Sequence, residues 1–112
     1  MSPDAHLPDS PTPVPQTVGE AARLAIDGLD ALAELGEEID DEWQYVQDLR
    51  ESWQTRLEAI EGARNDEALS TERGAAVARV VDESGLIADP HRAIDWLSTL
   101  PQVTLLALGE RP

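Results

Sequence analysis

Advancing from Val18 by alternate steps of four and three residues visits Val18, Ala22, Ala25, Leu29, Leu32, Gly36, Ile39, Trp43, Val46, Arg50, Trp53, Leu57 and Ile60, and only Gly36 and Arg50 are not apolar. The residues between are mostly Asp, Glu, Gln and Arg. Apolar groups returning at this spacing form one seam along a long amphipathic helix, or along two helices in succession. Such a seam must be covered, either by the rest of the chain or by a partner. Its contact positions are Leu29, Leu32, Ile39, Trp43, Val46, Trp53 and Leu57.

Thr17-Val18-Gly19-Glu20 reads as a capping box, in which the Thr hydroxyl and the Glu carboxylate each satisfy a backbone donor of the first helical turn. Gly62 closes the stretch. Whether one helix fills residues 17–62 turns on Gly36. A break would use Gly36 as a left-handed residue and Asp40 or Asp41 as the next N-cap, folding the two halves into a hairpin. Against a break stand Glu37 and Glu38, both good helix formers, and a rhythm that keeps phase across Gly36. An unbroken helix would span about 69 Å at 1.5 Å per residue, far beyond ordinary globular lengths. Arg50 would face inward in a strict supercoil, whereas a straight helix puts Leu49 there instead, which favours local packing.

Residues 1–16 contain five prolines, at positions 3, 8, 11, 13 and 15, and read as a disordered or polyproline-like tail that includes His6. After a polar connection, Ser70 or Thr71 caps a third helix through Ser84, with Gly85 as its stop. Asp89-Pro90 then gives an N-cap followed by proline at the first helical position, with Ile94, Trp96, Leu97 and Leu100 for burial. Thr99-Leu100-Pro101-Gln102 repeats the capping pattern, so Val103–Leu108 reads as a separate short buried helix ending at Gly109. Trp43 and Trp53 would lie about 80° apart on one helix, bordering one groove, and the three tryptophans read as core anchors first and as interface hot spots second. The expectation is all-α: a small helical bundle built on a long amphipathic helix or helical hairpin (17–62) with two or three shorter C-terminal helices, one domain over residues 17–109.

Charge narrows function. Twenty-three Asp and Glu face eight Arg and no Lys, a net of −15 with a pI near 4.2. The acids are interleaved with apolar residues at helical spacing, which argues for a folded acidic surface. Abundant acid, absent Lys and small aliphatics together resemble the proteins of microbes that keep molar salt in their cytoplasm. At about 1 M salt the Debye length is roughly 3 Å, so neighbouring carboxylates cease to repel at range. Nucleic acid and membrane are not expected as partners, because both are bound through clustered Lys and Arg. Zero Cys excludes disulfides and thiolate chemistry. The first 20 residues carry neither a basic n-region nor an apolar h-region, so a cytoplasmic location is expected.

No catalytic motif stands out. From Asp27 to Asp48 nine acids occur without a basic residue, and Glu34, Glu37, Glu38 and Asp41 would share a face of an unbroken helix where a divalent cation could sit. Glu37-Glu38-Ile39-Asp40-Asp41 is similar to the first half of the Mg²⁺ motif of all-α nucleotide pyrophosphohydrolases, but Asp41 replaces its last Glu and no Glu-x-x-Asp follows. His91 and Asp95 could pair, yet no other His lies in the folded part and a metal site needs three or four ligands. A Ser-His-acid set would have to recruit His91, and neither Ser84 nor Ser98 sits in a nucleophile elbow.

The expected function is therefore a non-enzymatic helical protein–protein interaction or assembly subunit, self-associating as a homodimer or bound to a larger complex, with no cofactor. One rival is a Mg²⁺-dependent hydrolase using the carboxylates of 34–42. A second is a DNA-binding regulator using 70–84 and 90–100 as a helix-turn-helix.

Overall fold

The computed structural model describes residues 12–111. The tail before Thr12, with His6, lies outside the described residues. Four helices follow in order: α1 (Val18–Gly36), α2 (Trp43–Arg64), α3 (Thr71–Ser84) and α4 (Pro90–Ala107), with a single 3₁₀ turn at Asp40–Glu42 between the first two. Among the described residues there is no strand, only an isolated antiparallel bridge between Thr17 and Ala68. None of these helices is long and apolar enough to cross a membrane.

The long stretch is a hairpin. Its break differs from the one the sequence suggests, because Gly36 is not left-handed and ends α1 in ordinary helical geometry, with Glu37 as C-cap at φ −65°. Packing explains the glycine instead: Ile94 Cγ1 and Val46 Cγ2 stand 3.1 and 3.3 Å from where its Cβ would be. Gly36 is thus the point at which α1, α2 and α4 close on one another. The next helix is not capped by Asp40 or Asp41 either; those residues form the 3₁₀ turn, and Glu42 precedes α2 without a side-chain cap. Gly62 does not end α2, which runs on to Arg64.

α1 is the central helix. Its seam residues Val18, Ala22, Ala25, Leu29 and Leu32 are buried, and so are Ala21, Ile26 and Ala33 off the seam. The small Ala and Gly side chains between its larger ones let three other helices approach it, and α1 packs on α2, α3 and α4. α2 runs antiparallel to it, with Val46 beside Gly36 at one end and Asn65 beside Gly19 at the other. α4 is antiparallel as well, with Leu100 against Gly28 and Ile94 against Gly36. The core so formed joins Leu29, Leu57, Val77, Leu97, Leu100 and Leu105. Each fully buried Leu contributes about 1.5–3 kcal/mol of transfer free energy.

Caps appear where the sequence puts them: Thr17 Oγ1 accepts from the Glu20 amide, Ser70 Oγ from the Arg73 amide and Asp89 Oδ1 from the His91 amide. The capping box of α1 is shifted, since the Glu20 carboxylate accepts from the Gln16 amide at 2.9 Å, one residue upstream of the cap. Residues 12–16 belong to the folded unit. Pro15 is buried, the Gln16 carbonyl accepts from the Leu69 amide, and a Cβ at Gly74 would collide with the Pro15 carbonyl.

The expected fifth helix does not exist separately, because α4 continues through Pro101 to Ala107. An interior proline costs a helix about 3 kcal/mol. Here Leu100, Pro101, Thr104 and Leu105, on both sides of the interruption, are all buried, which offsets that cost. Thr99 does not cap; its hydroxyl lies 3.4 Å from the Asp95 carbonyl one turn back.

Candidate interaction surface

Most of the seam is spent on the chain's own core. Leu29, Val46 and Leu57 have no exposed surface and Leu32 is 3% exposed, so these four are closed to a partner in this fold. Ile39 is half-buried, and Trp53 is half-buried against the core. Trp43 departs from the expected core role: at 49% exposed it stands on the first turn of α2, just past the bend of the hairpin. Tyr45 beside it is 52% exposed. Trp96 keeps a core contact. Arg50, the charged member of the seam, is half-buried and reaches Asp30 of α1, with Nη1 3.5 Å from Oδ1. Leu49 takes up the packing it vacates. Among the described residues, the buried Trp53 Nε1–H, Arg50 Nε–H and Asp30 Oδ1 find no hydrogen-bond partner.

Breaking the helix at Gly36 separates the carboxylates expected on one face. Glu34 lies in α1, Glu37 caps it, Glu38 follows in the bend and Asp41 lies in the 3₁₀ turn. Glu37 is engaged by the amide of Gln47 across the hairpin. Among the described residues, no three His, Asp or Glu side chains come together as a metal site.

A groove of about 520 Å³ lies where the start of α2 meets the first half of α4, lined by Glu42, Tyr45, His91, Ile94, Asp95 and Ser98. His91, Asp95 and Ser98 lie four and three residues apart on one face of α4. No hydrogen bond joins them among the described residues. The His91 ring is 81% exposed, and its Nδ1 is 3.7 Å from Asp89 Oδ1 and pairs with neither Asp95 nor Ser98. Without a serine–histidine hydrogen bond and a held imidazole, the set lacks the geometry that makes a serine nucleophilic. A second recess, about 350 Å³ and open, lies beside the Arg23–Glu61 ion pair, whose 2.7 Å contact raises the Arg23 pKa.

The best-held charged group is structural. Arg64, at the end of α2, donates to Glu67, to Glu110 Oε2 at 2.7 Å and to the Leu108 carbonyl at 3.0 Å, tying the α2 terminus to the end of the chain. Hydrogen bonding to Glu67 is the chief cause of an Arg64 pKa above the arginine norm. The same bond holds Glu67 below the usual carboxylate value.

One surface escaped the sequence reading. Val103–Leu108 reads from the sequence as a short buried helix, but as part of one α4 helix it is split: Thr104, Leu105 and Leu108 face the core, while Val103 is 36% and Leu106 62% exposed. From Trp96 to Gly109 there is no charged residue, in a chain where 28% are charged. That run was visible in the sequence; reading it as two elements hid the shared outer face. No family model, curated protein or solved structure matches this chain.

Proposed function

We propose that this protein is a non-enzymatic helical subunit that works by binding protein surfaces, in the salt-rich cytoplasm of a halophilic microbe. The observation that carries this reading is what remains outside once the core is full. Trp43, Tyr45, Leu86, Val103 and Leu106 are exposed, two of them among the four aromatic residues of the whole chain. Exposed aromatic and aliphatic side chains, rimmed by polar groups, are the usual anchors of protein contacts. The excess of acid and lack of Lys support a high-salt setting, where such contacts form without long-range repulsion.

The reading is tested by the mass of the native protein in unfractionated high-salt extract, followed by sedimentation. It requires a species well above the 12.2 kDa chain. A 12.2 kDa monomer at native concentration would overturn it. So would stoichiometric heat on titration with Mg²⁺ in high salt that Glu38→Gln abolishes, because that result belongs to a cation-dependent enzyme.

A further inference from the structure

We infer that the outer face of the second half of α4 is a self-association surface, and that its occupant is the same face of a second copy of this chain. The inference rests on the proposed function and names the partner and the contact. Successive side chains of a helix are rotated by about 100°, which sets Thr99, Val103 and Leu106 within roughly 60° of one another on one stripe. All three are exposed, and Trp96 borders them at half burial. Two turns of helix therefore present an uncharged strip, with Val103 and Leu106 as its apolar groups, that the chain's own core does not use.

Charge identifies the occupant. Two copies of a −15 chain repel wherever their carboxylates meet, and acids are distributed over α1, the bend, α2 and α3. The run Trp96–Gly109 contributes no charge, so two copies can approach along it without setting like charges opposite each other. A basic partner would be drawn elsewhere, to the carboxylates around Trp43. An uncharged apolar strip is also complementary to itself, which is the requirement of a two-fold, isologous contact. In an antiparallel pairing with the axis near position 103, Leu106 of one copy lies over Thr99 of the other. The Thr99 hydroxyl already lies toward the Asp95 carbonyl, so covering it strands little polar capacity. The small Thr99 and Val103 side chains let the helix axes come close.

One helical stripe on each copy buries less than a standard interface of about 1,600 Å², so the dimer is weak and reversible. Salt strengthens it, because screening removes the repulsion that remains between the flanking acids.

The test is sedimentation velocity of the full chain from about 5 to 500 µM, spanning the range of weak contacts, in KCl at about 0.5 and 3 M. The inference expects a monomer–dimer equilibrium that moves toward dimer at the higher salt. Leu106→Glu and Val103→Glu, each adding a carboxylate to the stripe, should weaken it at least about tenfold. Ala88→Glu, which adds the same carboxylate at an exposed position between α3 and α4, should leave it unchanged. Circular dichroism identical to wild type shows that each variant folds. Three results overturn the inference: a monomer at every concentration and salt, a dimer that Leu106→Glu does not weaken, or an association that salt dissolves. The last would mean that copies meet by pairing arginines with carboxylates rather than along α4, and would leave the proposed function standing. A native monomer in extract would remove that function as well.

Discussion

α2 and α4 are the two long helices laid antiparallel along α1, and they differ most on the side that faces away from it. Inward they obey one rule: Val46, Leu57 and Ile60 of α2, like Ala93, Leu97, Leu100 and Leu105 of α4, bury apolar groups in the shared core. Outward, α2 carries Asp48, Glu51 and Glu58 along its length, whereas α4 after Asp95 carries no charge and leaves Val103 and Leu106 exposed. The difference shows that burial on α1 sets the fold, while the outer faces are free to be specialised. α2 places both acids and arginines on its outer side, and the second half of α4 places neither.

The inner faces give the largest expected effects. Leu57→Ala and Leu100→Ala each remove a fully buried side chain, and each should cost about 2–5 kcal/mol in denaturant melts run in high salt. If one substitution were nearly silent, the two helices would not share the core equally and the comparison would fail at its base.

Salt sharpens the contrast. Lowering KCl from about 1 M to 0.01 M lengthens the Debye screen from roughly 3 to 30 Å, and the acids of α2 and the bend then repel one another. Amide hydrogen exchange should rise most in 37–48 and least in 97–105, with circular dichroism losing helicity overall. Uniform exchange, or helicity unchanged by salt, would contradict both the halophilic reading and the asymmetry.

Smaller effects attend the polar contacts of α2. Arg50→Met removes the ion pair to Asp30, and because both side chains are more than a third exposed the loss should stay below about 1 kcal/mol in a thermal melt. A larger loss would show that the hairpin depends on this pair to fix its register.

Arg64→Gln should show its effect through pH. Glu67 has a lowered pKa in the folded chain, so the stability it contributes is full above the ordinary carboxylate pKa of 4.5 and disappears as pH falls below it. The gap in melting temperature between wild type and Arg64→Gln should therefore narrow from about pH 5 to pH 3. It should not close, because the Leu108 carbonyl keeps its bond to Arg64 in the wild type. A gap that widens on acidification would refute the pairing.

What the sequence disclosed was local. The seam, the caps at Thr17, Ser70 and Asp89 and the all-α class rest on residue spacing and on hydrogen bonds that reach three residues or fewer. The features it concealed depend on neighbours distant in sequence. Gly36 reads as a left-handed stop until Ile94 and Val46 are known to press on it, and Pro101 reads as a boundary until the burial around it is known. Trp43 continues the seam in phase, but the bend at 37–42 carries it past the end of the core into solvent. The interface positions suffered the same fate: a periodic stripe says that cover is needed, and nothing in it says whether the cover is α4 or another molecule.

A distance between copies tests association along α4. The chain has no cysteine, so Gln102→Cys gives one spin label at the rim of the α4 stripe. Helix axes in contact lie about 8–10 Å apart. Dipolar spectroscopy of the full chain in high-salt buffer should then find label pairs within about 25 Å once the label tethers are included. The coupling should vanish when Leu106→Glu is added. A labelled chain without intermolecular coupling at high concentration, or coupling that survives Leu106→Glu, would contradict the account.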